Sequence, residues 1–107
     1  MNSQKSKIVR EFVVDARKIL KDNLVKEYLF GSFARNEDND ISDIDILLIV
    51  KNFNIKLRGE ISSLSSNYSL EKGVVISPII KDIPVWEKNK KYNTLFYSEI
   101  SKNGIEI

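Results

Sequence analysis

The stretch that decides the fold runs Tyr28-Leu29-Phe30-Gly31-Ser32-Phe33-Ala34-Arg35 and, after a polar segment, Ser42-Asp43-Ile44-Asp45-Ile46-Leu47-Leu48-Ile49-Val50. An apolar run ends in Gly-Ser, and ten residues later an Asp-x-Asp opens a second apolar run. If the two runs are neighbouring strands, Gly31 lets a phosphate approach the backbone, and Asp43 and Asp45 share one face because they are two residues apart. The stretch is therefore predicted to be a site for phosphate and metal.

The composition predicts a single globular domain over residues 1–107. Hydrophobic residues make up 42% of the chain and charged residues 30%, as in ordinary soluble proteins. No apolar run approaches the roughly 20 residues of a membrane helix, and the polar N-terminus does not resemble a secretory signal, so we expect a cytoplasmic protein. A net charge of +2 is too small to indicate nucleic acid as a direct ligand.

The chain contains neither cysteine nor histidine. Disulfides and zinc–thiolate sites are therefore excluded, and the commonest general base near neutral pH is missing. Any chemistry must use carboxylates, hydroxyls, lysines, arginines or the backbone. Oxygen ligands favour hard cations, so the sequence indicates magnesium rather than zinc or copper.

The spacing of apolar residues predicts alternating helices and strands. Helices are predicted over residues 3–22, 55–70 and 92–103, with a helical turn over residues 32–36 and with Gly104 as the last C-cap. Strands are predicted over residues 25–30, 44–50 and 74–80, while residues 105–107 either add a short strand or fray. The segment that begins at Ile83-Pro84 is interpreted as a connection, and Pro78 indicates an edge position for the third strand.

This order of elements predicts an α/β domain of the α+β kind, with two layers: helices packed on a small mixed sheet of three to four strands. The short connection over residues 36–42 favours antiparallel pairing of the first two strands. A helical turn after Gly31 would present unpaired N–H groups at the end of the first strand, which favours an anion there.

The motif Gly31-Ser32, ten residues, Asp43-Ile44-Asp45 resembles the signature of the DNA-polymerase-β-like nucleotidyltransferase superfamily. The longer match, Gly-Ser-Phe-Ala-Arg with Ser-Asp-Ile-Asp-Ile-Leu-Leu, is similar to the minimal nucleotidyltransferase (MNT) family within it. The resemblance is dense over residues 28–50 and continues more loosely into residues 95–105.

The resemblance implies a magnesium-dependent enzyme that moves a nucleoside monophosphate, AMP from ATP in the first instance, onto a hydroxyl. Asp43 and Asp45 would be the catalytic metal ligands, and Gly31, Ser32 and Arg35 would bind the nucleotide phosphates. Arg35 has two interpretations: it neutralises the leaving pyrophosphate, or it braces the loop by pairing with Glu37 or Asp38. Ser42 is interpreted as capping or orienting the turn at Asp43.

The resemblance also implies a partner. MNT proteins are commonly paired with a helical HEPN-domain protein, which in toxin–antitoxin pairs is a ribonuclease toxin. The chain would then be the antitoxin of a hetero-oligomer and would transfer AMP onto a tyrosine of the toxin, a reaction called AMPylation.

Two departures from the family pattern leave an alternative open. Active members usually carry a third carboxylate on the third strand, whereas residues 74–80 contain no acid and Glu71 and Asp82 only flank them. Larger relatives also append a helical domain that helps to bind the base and the acceptor. The alternative is a catalytically weak or inactive protein of the same fold that neutralises its partner by binding alone.

Overall fold

The computed structural model describes residues 3–37 and 43–107; the interpretations of Asp38 and Ser42 lie outside these residues. The helices in the described residues are α1 (Ser3–Leu20), α2 (Gly31–Ala34), α3 (Ile55–Lys72), α4 (Ile83–Lys91) and α5 (Leu95–Asn103), and a 3-10 turn, Lys21–Asn23, follows α1. The strands are β1 (Leu24–Phe30), β2 (Ile44–Val50), β3 (Ile76–Asp82) and β4 (Ile105–Glu106). None of these helices is long and apolar enough to cross a membrane.

The four strands form one mixed sheet in the order β3-β2-β1-β4. β1 pairs antiparallel with β2, as the short connection predicts, and β4 pairs antiparallel with β1. β2 and β3 are parallel, with α3 as the crossover between them. β3 is an edge strand, which confirms the position inferred from Pro78.

The main hydrophobic core lies between one face of the sheet and the helices α1 and α3. Alternate residues of β2 enter it, and the apolar stripes predicted for α1 and α3 supply the other side. Its fully buried large side chains include Phe12, Phe33, Ile44, Ile46, Leu48 and Ile61. The predicted fold class is confirmed.

The opposite face of the sheet carries a smaller cluster built with α4 and α5. Leu47 and Ile49 of β2 pack there with Phe30 and Ile100, and Trp86 and Phe96 flank them. Asp45, Leu47 and Ile49 occupy every second position of β2, so the side chain of Asp45 belongs to this second face. The position of Asp45 is therefore set by a strand that is apolar on both sides.

The structure corrects the prediction after residue 74. β3 begins at Ile76 rather than residue 74 because its pairing with β2 starts at Ile44, and it extends to Asp82. The segment at Ile83-Pro84 is not a connection but the first turn of α4. Proline is tolerated there because the first helical N–H groups have no partner within the helix, and the Asp82 side chain caps the helix through the N–H of Val85 at 2.9 Å.

Candidate functional site

Gly31 and Asp45 meet where β1 passes into α2. Gly31 has φ +74°, a conformation that L side chains rarely adopt, and α2 begins at this residue. A Cβ atom placed on Gly31 would lie only 2.2 Å from Oδ2 of Asp45. The absence of a side chain on Gly31 thus makes room for the carboxylate of Asp45. That carboxylate therefore lies beside the start of the Gly-Ser turn.

The helical turn predicted after Gly31 is present as α2. The N–H of Arg35 donates to the carbonyl of Gly31 at 3.1 Å, and the N–H of Glu37 donates to the carbonyl of Ser32 at 2.8 Å. Gly31 and Ser32 are both half-buried at the start of this turn. Their role in binding phosphate remains a prediction that this geometry allows.

Asp43 and Asp45 are held by the strands on either side. Asp45 lies opposite Phe30 of β1 and opposite Ser77 of β3. Oδ2 of Asp43 accepts a hydrogen bond from the Ser77 hydroxyl at 3.0 Å. The two aspartates therefore lie at the same end of the sheet, beside the Gly-Ser turn.

The pKa of Asp45 is set by the groups that surround its carboxylate. Partial burial and the like charge of Asp43 raise the pKa of Asp45, while the positive charge of Arg35 lowers it. Phe30, the strand partner of Asp45, packs edge-on against Phe96 with ring centroids 5.3 Å apart, so apolar groups border the carboxylate. A divalent cation would relieve the repulsion between the two aspartates.

The donor set suits magnesium bound together with a substrate. Mg²⁺ usually takes one or two protein carboxylates and completes its shell with waters and substrate phosphates. Across residues 3–37 and 43–107, no group of three or more acidic side chains is arranged to hold a metal ion. Asp43 and Asp45 therefore fit a cation that takes two protein carboxylates and completes its shell with other oxygen ligands.

Arg35 is braced by two carboxylates. Its Nε donates to Oε2 of Glu37 at 3.1 Å and its Nη1 donates to Oε1 of Glu99 at 2.5 Å, so the pairing with Glu37 is confirmed. Glu99, on α5, also accepts a hydrogen bond from Asn103 at 3.2 Å. Because a guanidinium has five N–H donors, these two bonds leave others for a phosphate, and bracing is compatible with phosphate binding.

Sequence reasoning did not find Glu99, because 64 residues separate it from Arg35. The one available signal was the resemblance of residues 95–105 to the tail of MNT proteins, which gave Glu99 no role.

β3 extends past residue 80 and so includes one acid, Asp82, which the sequence placed at the flank of the strand. Asp82 is the last residue of β3, but it lies opposite Val50, at the end of β2 away from Asp45. Glu71 belongs to α3 and is exposed. Opposite Asp45, β3 supplies Ser77, so no carboxylate of this strand is level with the Asp-x-Asp motif.

Comparison with known proteins supports the assignment made from the motif. A family model described as polymerase beta, nucleotidyltransferase, matches residues 15–107. A candidate protein adenylyltransferase of Methanocaldococcus jannaschii is 38% identical over 101 residues, which cover 94% of this chain and 95% of the relative. A second candidate protein adenylyltransferase of the same organism is 31% identical over 109 residues, covering 97% of this chain and 96% of the relative.

Solved structures show the same fold. A candidate nucleotidyltransferase of Sulfolobus solfataricus superposes with a TM-score of 0.58 at 25% identity, covering 94% of this chain and 76% of its own. A chain from a toxin–antitoxin complex with AMP-PNP gives a TM-score of 0.61 at 16% identity, covering 90% and 69%. A chain from a complex of tri-AMPylated Shewanella oneidensis HEPN toxin with MNT antitoxin gives 0.52 at 18% identity, covering 96% and 67%. The superfamily predicted from the motif is confirmed, and this chain belongs to the polymerase beta nucleotidyltransferase family.

Proposed function

We propose that this nucleotidyltransferase moves AMP from ATP onto a hydroxyl group of a protein, with Mg²⁺ bound by Asp43 and Asp45. The observation that supports the proposal is the closeness of Asp45 to Gly31: the carboxylate that would bind the metal lies against the turn that would hold the phosphates. Relatives named as candidate protein adenylyltransferases support AMP as the transferred group and a protein as the acceptor.

The reaction is an in-line displacement at the α-phosphorus of ATP. The acceptor oxygen forms a bond to phosphorus, the bond to the bridging oxygen breaks, and pyrophosphate leaves. Magnesium, when bound, neutralises phosphate charge and stabilises the attacking and leaving oxygens. The protein contributes position and charge: the turn at Gly31-Ser32 holds the triphosphate, and Arg35 offers its remaining N–H groups to the leaving pyrophosphate.

The proton of the acceptor hydroxyl needs a base. In many sites a carboxylate near the acceptor takes this role, but β3 supplies Ser77 at the level of Asp45. The proton must therefore pass to Asp45, to solvent or to a group on the acceptor protein. This incomplete acceptor side is the reason to look for the substrate on a second protein.

The acceptor that fits best is a tyrosine of a HEPN-domain toxin, which would make this chain an antitoxin in a hetero-oligomer. Support comes from the solved complex of a tri-AMPylated HEPN toxin with an MNT antitoxin, one of whose chains shares this fold. A chain from a toxin–antitoxin complex with AMP-PNP shares it as well, which agrees with ATP as the donor.

The test is incubation of the protein with ATP, Mg²⁺ and the protein encoded by the adjacent gene, followed by intact-mass measurement of both chains. An AMP-sized increase is expected on the partner, and it should disappear in the D43A/D45A double variant and when Mg²⁺ is chelated. Protection of RNA from the partner should depend on the same conditions. No increase with the wild-type protein would overturn the enzymatic proposal.

A second function is favoured by one observation, the serine that faces Asp45 where a carboxylate would serve catalysis. In this second function the chain has no transferase activity and neutralises its partner by binding alone. The same experiment separates the two: binding alone predicts no mass change on either chain and full protection of RNA by D43A/D45A.

A further inference from the structure

The Ser77 hydroxyl and the Asp43 carboxylate form a bond that crosses from β3 to the residue preceding β2. Ser77 Oγ donates to Asp43 Oδ2 at 3.0 Å. Ser77 lies opposite Asp45 in the parallel register, so it is level with both aspartates of the motif. Asp43 itself is exposed and precedes the first residue of β2. Strand pairing with β3 begins at Ile44, the residue after Asp43.

An exposed aspartate next to a strand end has several side-chain rotamers of similar energy. A hydroxyl that donates to one of its oxygens selects among these rotamers. A carboxylate has about four lone-pair sites, so this single bond does not prevent it from binding a cation. The hydrogen bond thus orients Asp43 without using up its capacity as a ligand.

The position of Ser77 makes this role specific. β3 is the edge strand beside β2, and the hydroxyl of its Ser77 donates to a carboxylate of the motif. The neighbouring β3 residue Ile76 is held differently, because its carbonyl accepts a hydrogen bond from Ser65 of α3. The strand is therefore anchored to α3 independently of the bond between Ser77 and Asp43.

We propose that Ser77 is a positioning residue, which orients Asp43 so that Asp43 and Asp45 present a preformed pair of ligands to a divalent cation. The proposal rests on the proposed function, since it takes Asp43 to be a metal ligand. Ser77 does not contact the reacting atoms; it acts through Asp43. Partners that hydrogen-bond to metal ligands typically change metal affinity by 10- to 100-fold when they are removed.

The experiment measures the binding of Mn²⁺, a paramagnetic substitute for Mg²⁺, to the full chain by electron paramagnetic resonance, with Mg²⁺ as competitor. Three variants are compared with the wild type: S77A removes the hydroxyl, S77T keeps it, and S65A removes the serine bond to Ile76 without touching Asp43. Thermal melting of each metal-free protein shows whether the fold is intact.

We expect S77A to bind Mn²⁺ about tenfold more weakly than the wild type, and S77T and S65A to bind it within about twofold. Equal affinities of the wild type and S77A would overturn the role of Ser77 and leave the metal site standing. Weakening by S65A to the same extent as by S77A would also overturn it, because the effect would then come from the strand. If the wild type binds Mn²⁺ neither alone nor together with AMP-PNP, the metal role of Asp43 in the proposed function falls, and the role of Ser77 falls with it.

Discussion

Oδ2 of Asp45 occupies the space that a side chain on residue 31 would need, since a Cβ on Gly31 would lie 2.2 Å from it. G31A should therefore be destabilising for two separate reasons. The φ of +74° costs an L residue about 1–2 kcal/mol, and the steric clash adds about 1–3 kcal/mol. We expect a total loss of about 2–5 kcal/mol in the free energy of unfolding, measured by urea denaturation.

A matched control separates the two costs. Gly73 has a similar φ of +67°, but a Cβ there would meet nothing within 4 Å, so G73A should lose only the conformational part. The excess cost of G31A over G73A measures the contact with Asp45, and it should shrink when G31A is made in a D45A background. An excess that is the same in both backgrounds would show that Asp45 is not the group that clashes.

Much of the fold and of the site could be predicted because the informative residues are close in sequence. β2 is apolar on both faces, the connection to β1 is short, and the Gly-Ser and Asp-x-Asp motifs sit at adjoining strand ends. Residues two apart on a strand share a face whatever the rest of the chain does. The pairing of β1 with β2 followed from these local rules, which also predict a common face for Asp43 and Asp45.

What could not be predicted depends on the register of distant segments. The apolar run at residues 74–80 does not reveal that pairing with β2 begins at Ile76, which is what places Ser77 opposite Asp45. Pro84 suggested a break, and only the capping bond that Asp82 accepts from the N–H of Val85 shows that Pro84 lies in the first turn of α4. The contact between Arg35 and Glu99 has no local signal at all, since it depends on how α5 packs beside α2.

Asp45 should make the metal-free protein less stable at neutral pH. Burial and the charge of Asp43 raise its pKa in the folded state above the ordinary value of 3.8, so the folded protein resists ionisation. The favourable contribution of the neutral Asp45 carboxyl to the free energy of unfolding is complete below pH 3.8. It is lost as the pH rises through the folded-state pKa of Asp45. D45N should therefore melt a few degrees above the wild type at pH 7.5 in chelator, and this difference should shrink as the pH falls toward 4.

Added Mg²⁺ should reverse that order. A cation that binds only the folded state raises the melting temperature, and it should do so for the wild type more than for D45N. A lower melting temperature of D45N at pH 7.5 in chelator would show that attraction to Arg35 outweighs burial and repulsion from Asp43.

The ion pair between Arg17 and Glu27 should contribute strongly to the attachment of α1 to β1. Glu27 is only 2% exposed, and Arg17 donates to both of its oxygens at 2.9 and 2.8 Å. R17A would leave a buried carboxylate unpaired, and because Arg17 itself is half-exposed we expect a loss of about 2–3 kcal/mol. Urea denaturation measures it.

Lys18, the next residue, provides the control for that loss. It approaches Asp15 at 3.9 Å on the surface, and K18A should change the free energy of unfolding by less than about 0.5 kcal/mol. The R17A/E27Q double variant should recover part of the loss, since no buried charge then remains. A double variant that is less stable than R17A would refute this explanation.

Arg35 and Glu99 should act as one unit in binding the nucleotide. Glu99 holds the guanidinium from α5, so removing either residue should displace the same N–H groups from the phosphates. We expect R35A to weaken the binding of AMP-PNP with Mg²⁺ about tenfold, and E99A to weaken it by a smaller factor. In the double variant the loss should equal that of R35A alone, measured by calorimetry.

The pair formed by Lys26 and Glu106 serves as the matched control, because its atoms are 3.9 Å apart on exposed side chains away from the Gly-Ser turn. K26A and E106A should leave the affinity for AMP-PNP unchanged. If E99A instead strengthens binding, Glu99 competes with the phosphates for Arg35 rather than orienting it. If the losses of R35A and E99A add in the double variant, the two residues act independently, and α5 affects the site by a route other than Arg35.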